Sequence, residues 1–127
     1  MKLQELNVDG FVCKVQEGIS FVQKQEFIQL LESFLEMDKF QALNDTDKQN
    51  LKLGDALKKG VSQSKMLFEL TKFVLFTFVK EPVITAKNLE DPDDPNNANY
   101  QVLANTLIEL TMKAITKAQE LKKTPKL

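Results

Sequence analysis

SKMLFELTKFVLFTFVKEP, from Ser64 to Pro82, is the stretch whose conformation decides the fold. Between Met66 and Val79 only Glu69, Thr71, Lys72 and Thr77 are polar, and the apolar side chains point to every side of a helical projection. A helix of that kind needs cover on several sides and so sits at the centre of a domain. The run is too short for the about 20 residues that span a bilayer, and it holds Glu69 and Lys72. A strand competes over Lys72 to Val79, which is rich in aromatic and β-branched residues. Helix is favoured because the apolar region outlasts a usual strand and opens on Met66, Leu67, Glu69 and Leu70, with no Gly or Pro before Pro82. The residue before a proline is pushed out of α geometry, which sets the end of the element. The reading is a central helix over about 64–80, within an element placed at 62–81.

Outward from that helix, the chain reads as one domain of 127 residues. The size suffices to bury about two thirds of the unfolded surface in one core. Its first 19 residues are not helical in pattern: Leu3, Leu6 and Val8 precede Asp9-Gly10, and Phe11, Val12, Cys13 and Val15 follow it. Asp-Gly suits the tight turn of a hairpin, so Lys2–Val8 is expected to pair with Phe11–Gln16. Ser20 and Gln23 have the spacing of a capping box. Phe27, Leu30, Leu31, Phe34, Leu35 and Phe40 then recur at helical intervals, predicting one amphipathic helix over 20–42. Asn44-Asp45-Thr46-Asp47 is a polar turn, and Leu51, Leu53, Ala56 and Leu57 predict a short helix over 50–59 that stops near Gly60. Residues 82–97 read as an acidic loop, 98–122 as a last helix and 123–127 as a tail. The fold class is therefore mainly α, a small helical bundle around the central helix with an N-terminal β-hairpin.

Composition excludes several kinds of chemistry. There is no His, so Ser-His-Asp and Cys-His nucleophile arrangements and ordinary zinc sites cannot be built. All 17 basic residues are Lys, 18 residues are acidic, and the net charge is −1. That balance gives no field directed at nucleic acid or an anionic membrane, and the absence of Arg removes the best side chain for bidentate base recognition. The single cysteine, Cys13, fits a reducing compartment and reads as a small buried hydrophobe rather than a reactive thiol. The N-terminus MKLQELNVDG lacks a signal-peptide core, so a cytoplasmic product is expected.

Two carboxylate groupings have the residue types of a cation site. Asp45 and Asp47 alternate like the opening of a calcium loop, but Asn50 and Ala56 stand where the loop needs Gly and Glu. Glu90, Asp91, Asp93 and Asp94 could in principle hold a divalent cation, yet no loop spacing imposes a cage, and an exposed acidic turn is the simpler account. No catalytic residue, metal ligand or cofactor site is assigned. The last helix carries two apolar seams: Leu103, Leu107, Leu110, Ala114, Ala118 and Leu121 form one, and Ile108, Met112 and Ile115 the other. One seam suffices to dock the helix, which makes Ile108, Met112 and Ile115 candidates for binding a partner helix or another copy of the chain. The alternative, that the domain encloses both seams, stands beside it.

The order of these features resembles a known family. VQEGISFVQKQEFIQLLESFL opens a helix after a strand region, FVLFTFVKEP ends the central helix, and FVKEPVITAKNLED, Phe78 to Asp91, leads into an acidic connector before a final helix. In layout this is similar to the tail assembly chaperones of long-tailed phages and prophages, with the "VxEP" ending the most suggestive piece. The resemblance implies a non-enzymatic cytoplasmic protein that coats the helical tape measure protein until tail-tube subunits polymerise around it. It also implies a second, longer form made by translational frameshift, with which the adjacent Lys122 and Lys123 are compatible. The rival expectations are a minor virion component of the tail or head-tail connector, and a small metal-dependent enzyme using the acidic-loop carboxylates.

Overall fold

The computed structural model describes the backbone of residues 1–123, and the side chains of residues 1–117. Along the chain come β1 (Leu3–Val8), β2 (Phe11–Gln16), α1 (Phe21–Phe34), α2 (Met37–Ala42), α3 (Asp45–Gln49), a 3-10 turn (Gly54–Ala56), α4 (Gln63–Phe78), β3 (Val79–Glu81), α5 (Ala86–Glu90) and α6 (Asn97–Lys123). The molecule is helix-dominated, with a three-stranded antiparallel sheet in the order β1-β2-β3.

The hairpin forms as its turn chemistry dictates. Asp9 and Gly10 take φ values of 49° and 88°, both left-handed, which a two-residue turn requires and which Gly adopts without strain. Gly10 N–H donates to Asn7 Oδ1 at 2.9 Å, and Val8 pairs with Phe11. The inner face of the sheet buries Phe11, Cys13 and Val15. The expected capping box is also present. Gln23 N–H donates to Ser20 Oγ at 3.1 Å, and Ser20 N–H donates to Gln23 Oε1 at 3.0 Å. Paired amides of Gln16 and Gln23, with contacts of 2.6 and 3.0 Å, tie the end of β2 to the first turn of α1.

Four boundaries differ from the sequence reading. The single helix expected over 20–42 is divided, because Leu35 is extended (φ −118°, ψ 146°) and forms a β-bridge with Leu57. Glu36 N–H donates to Ala56 O at 2.8 Å and Lys58 N–H to Phe34 O at 2.9 Å, so a distant segment supplies the hydrogen bonds that helix continuation would have given. The helix expected over 50–59 is displaced: α3 lies earlier, capped by Asn44 Oδ1 accepting from Asp47 N–H at 2.8 Å. Leu51 at φ 58° breaks any continuation, leaving only the 3-10 turn. The central helix stops at Phe78 instead of continuing to about residue 80, since Val79 and Glu81 pair with Val15 and Lys14 of β2. Within 82–97, a one-turn helix, α5, interrupts the expected loop. Of the tail expected over 123–127, Lys123 still belongs to α6, and residues 124–127 fall outside the described residues.

α4 is the centre of the core, burying Met66, Leu70, Thr71, Val74, Leu75 and Phe78. It packs against α6 and α1, and it leads directly into the sheet through β3. The ring of Phe73 lies 5.7 Å from that of Phe27 and 6.1 Å from that of Phe78, measured between centroids, which joins α1 to α4 by aromatic contact. Phe11 meets Tyr100 edge-on at 6.1 Å, fixing the hairpin against the start of α6. Lys48 is buried against this body, its Nζ donating to Gln41 O at 3.3 Å and lying 5.3 Å from the Phe40 ring centroid.

Candidate functional site

A groove of about 310 Å³ lies where the inner face of the hairpin, the 16–24 segment and α6 converge. Val15, Phe78, Leu107, Leu110 and Ala114 give it apolar walls, while Gln4, Gln16 and Lys24 supply polar atoms. Two features of the chain place these groups. Gly18 turns the backbone at φ 81° between β2 and α1, and the Gln16–Gln23 amide pair holds that turn. Leu110 is 47% exposed although its helical neighbours Ile108 and Met112 are fully enclosed. An exposed leucine beside an open apolar groove leaves unburied surface that a second molecule can cover.

The fold encloses most of both seams of α6, the alternative that stood beside partner binding: Leu103 and Leu107 of the first seam are buried, and of its large side chains only Leu110 is half-exposed among the described residues. Ile108 and Met112 are 0% exposed and Ile115 is 1% exposed, so these three residues are core of the single folded chain. They present no surface to a partner, and the partner-binding assignment is corrected accordingly. The physical reason is that α6 packs on α4 and α3, and Ile108, Met112 and Ile115 join Leu103 and Leu107 in the one buried core cluster. Leu107, Leu110 and Ala114 of the docking seam line the groove. The seam residues Ala118 and Leu121 lie outside the described side chains.

Other exposed apolar groups escaped the sequence reading. Phe21 and Val22, in the first turn of α1, are 74% and 62% exposed. They fall outside the Phe27-Leu31 stripe, and that mismatch with the helical pattern was the available signal. Phe68 and Phe76 are exposed on α4, whose all-round apolar pattern had predicted cover on several sides. Lys72 lies between them at helical spacing, its Nζ 4.7 Å from the Phe68 ring centroid and 2.9 Å from Glu69 Oε1. The alkyl stem and charge of Lys72 partly shield that ring.

The acidic segment is organised by hydrogen bonds among its own residues. Tyr100 O–H donates to Asp94 Oδ2 at 2.9 Å, Asn88 Nδ2 donates to the same oxygen at 3.3 Å, and Asn96 N–H donates to Asp94 Oδ1 at 2.8 Å. The Asn96 N–H, with the Tyr100 hydroxyl and Asn88 amide, holds the Asp94 carboxyl below its usual range. Burial, then the Asp94 carboxylate, pushes the Tyr100 hydroxyl up to about 12. Among the described residues no group of three or more acidic or cysteine side chains converges as a metal site. Cys13 is buried on the sheet's inner face, and burial raises its thiol pKa. Among the described residues no helix is long and apolar enough to cross a membrane.

Comparison with protein-family models, curated proteins and solved structures gives no match. The groove offers apolar walls, the amides of Gln4 and Gln16, the latter paired with Gln23, and one ammonium at Lys24.

Proposed function

We propose that this chain is a non-enzymatic binding protein that holds an apolar helix of another protein in the groove beside Leu110. The observation that carries the proposal is the half-exposed Leu110, set in an apolar wall between α6 and the hairpin. An amphipathic helix laid along such a groove buries its own apolar stripe together with Leu110, and Lys24 at the edge favours an acidic residue on the partner. The layout shared with phage tail assembly chaperones supplies the partner's nature: a long helical tape measure protein, kept soluble in the host-cell cytoplasm until the tail tube forms around it.

The reading expects the gene to stand immediately before a very long, helix-rich reading frame. Co-expression of that product with this chain should move it from the insoluble to the soluble fraction, and the two should co-purify. Finished particles analysed by mass spectrometry should lack this chain. Stoichiometric retention in particles would support the virion-component reading instead.

A further inference from the structure

We infer that the free edge of β1 is a second binding site, which takes an extended protein segment of alternating apolar and basic residues. The inference does not depend on the helix-binding reading, because it concerns backbone hydrogen bonds at the sheet edge that adjoins the groove.

β1 ends the sheet order, so one side of the strand has no neighbouring strand among the described residues. The turn at Asp9-Gly10 fixes which backbone groups lie on that side. In a two-residue hairpin the flanking pair, here Val8 and Phe11, exchanges hydrogen bonds, and bonded pairs then alternate along the ladder. Leu6–Cys13 and Gln4–Val15 are therefore bonded pairs, and Glu17 N–H donating to Lys2 O at 2.9 Å continues the series. The N–H and C=O groups of Leu3, Glu5 and Asn7 point away from β2, and all three residues are exposed. Edges of this kind are usually protected by Pro, Lys, a bulge or very short length. β1 has six residues with neither Pro nor Lys among them, and its pairing with β2 runs without a register shift. Its one charge is Glu5.

That charge identifies the occupant. Glu5 is paired in register with Lys14, and Lys14 with Glu81, the last two being 3.5 Å apart. The outer face thus carries a row of alternating sign, negative, positive, negative, which a strand beside β1 continues with a basic residue opposite Glu5. A second copy fits poorly. The two-fold pairing that uses Leu3, Glu5 and Asn7 together sets Glu5 against Glu5, and like charges directly opposite are unfavourable. On the inner face Leu6 and Val8 are only partly buried, and Gln4 borders the apolar groove. Apolar residues of the added strand, alternating with the basic one, cover Leu6 and Val8 and extend the groove's apolar wall.

The test uses the full chain and two capped eight-residue peptides that alternate valine with threonine, one with a central lysine and one with glutamate in its place. Amide NMR should show the lysine peptide perturbing Leu3, Glu5 and Asn7 and slowing exchange of their N–H groups. The glutamate peptide should bind roughly three- to tenfold more weakly, the scale of exchanging an attractive for a repulsive cross-strand pair. In Glu5→Gln, whose substitution lies on an exposed position and leaves the remaining amide signals in place, the two peptides should bind alike. Failure of the lysine peptide to bind, equal binding of both peptides to the unaltered chain, or perturbations centred away from β1 each overturn the inference. Protection of the three amides before any peptide is added, rising with protein concentration, assigns the edge to a second copy and overturns it too.

Discussion

Replacing Ile108 with Ala separates a core residue from a docking residue more sharply than any other single change. Ile108 is 0% exposed and belongs to the cluster that joins α6 to α4. The substitution removes three buried carbons at about 0.8 kcal/mol each, and the incompletely collapsed space adds to that. A loss of about 3 to 4 kcal/mol is expected, a large fraction of the 5 to 15 kcal/mol typical of a whole domain. At a urea dependence of about 1.5 kcal/mol per molar, the unfolding midpoint falls by about 2 M. Leu110→Ala is the internal control: at 47% exposure it should cost about 1 kcal/mol or less. Urea unfolding followed by circular dichroism measures both. If Ile108→Ala unfolds within about 0.5 kcal/mol of the unaltered chain, while association with a partner is lost, the assignment of this seam to the core is wrong.

Three further outcomes follow from particular contacts. Ser20→Ala removes one half of the capping box and should lower stability by about 1 kcal/mol, read from thermal unfolding, whereas Ser20→Asp should largely keep it. Tyr100 is the one tyrosine in a chain without tryptophan, so ultraviolet titration of tyrosinate follows it alone; its midpoint should lie near 12 in the folded protein. Because the folded state favours the protonated hydroxyl, this contribution to stability is intact below the ordinary tyrosine value of about 10 and is lost as pH rises from there through 12. A midpoint near the ordinary value would show that neither burial nor Asp94 acts on the group. Thr71 Oγ1 is buried without a hydrogen-bond partner among the described residues, so Thr71→Val should raise stability by about 1 kcal/mol, and a loss of that size would show that the hydroxyl has a partner in solution.

What was legible in the sequence was local. The Asp9-Gly10 turn and the Ser20–Gln23 box each depend on residues within a few positions, and both formed where the spacing placed them. The interruption at Leu35 carried no such sign, since neither Gly nor Pro marks it and its partners Ala56, Leu57 and Lys58 lie some twenty residues on. The end of α4 was misplaced for a related reason. Pro82 announces a stop, but pairing with β2 draws Val79 to Glu81 into the sheet first. At the groove, helical periodicity revealed two apolar seams on α6 but could not say how far the rest of the domain would cover each. Only the packed structure separates the enclosed Ile108 from the half-open Leu110 two residues away.

The account rests on Leu110 as part of a surface that grips another protein. Isothermal titration of a helical segment of the proposed tape measure partner into the unaltered chain and into Leu110→Gln tests this directly, because glutamine keeps helix propensity while removing the apolar contact. The account predicts a loss of affinity of about tenfold or more, the scale of an interface anchor, with stability lowered by no more than about 1 kcal/mol. Equal affinity for both proteins would contradict it.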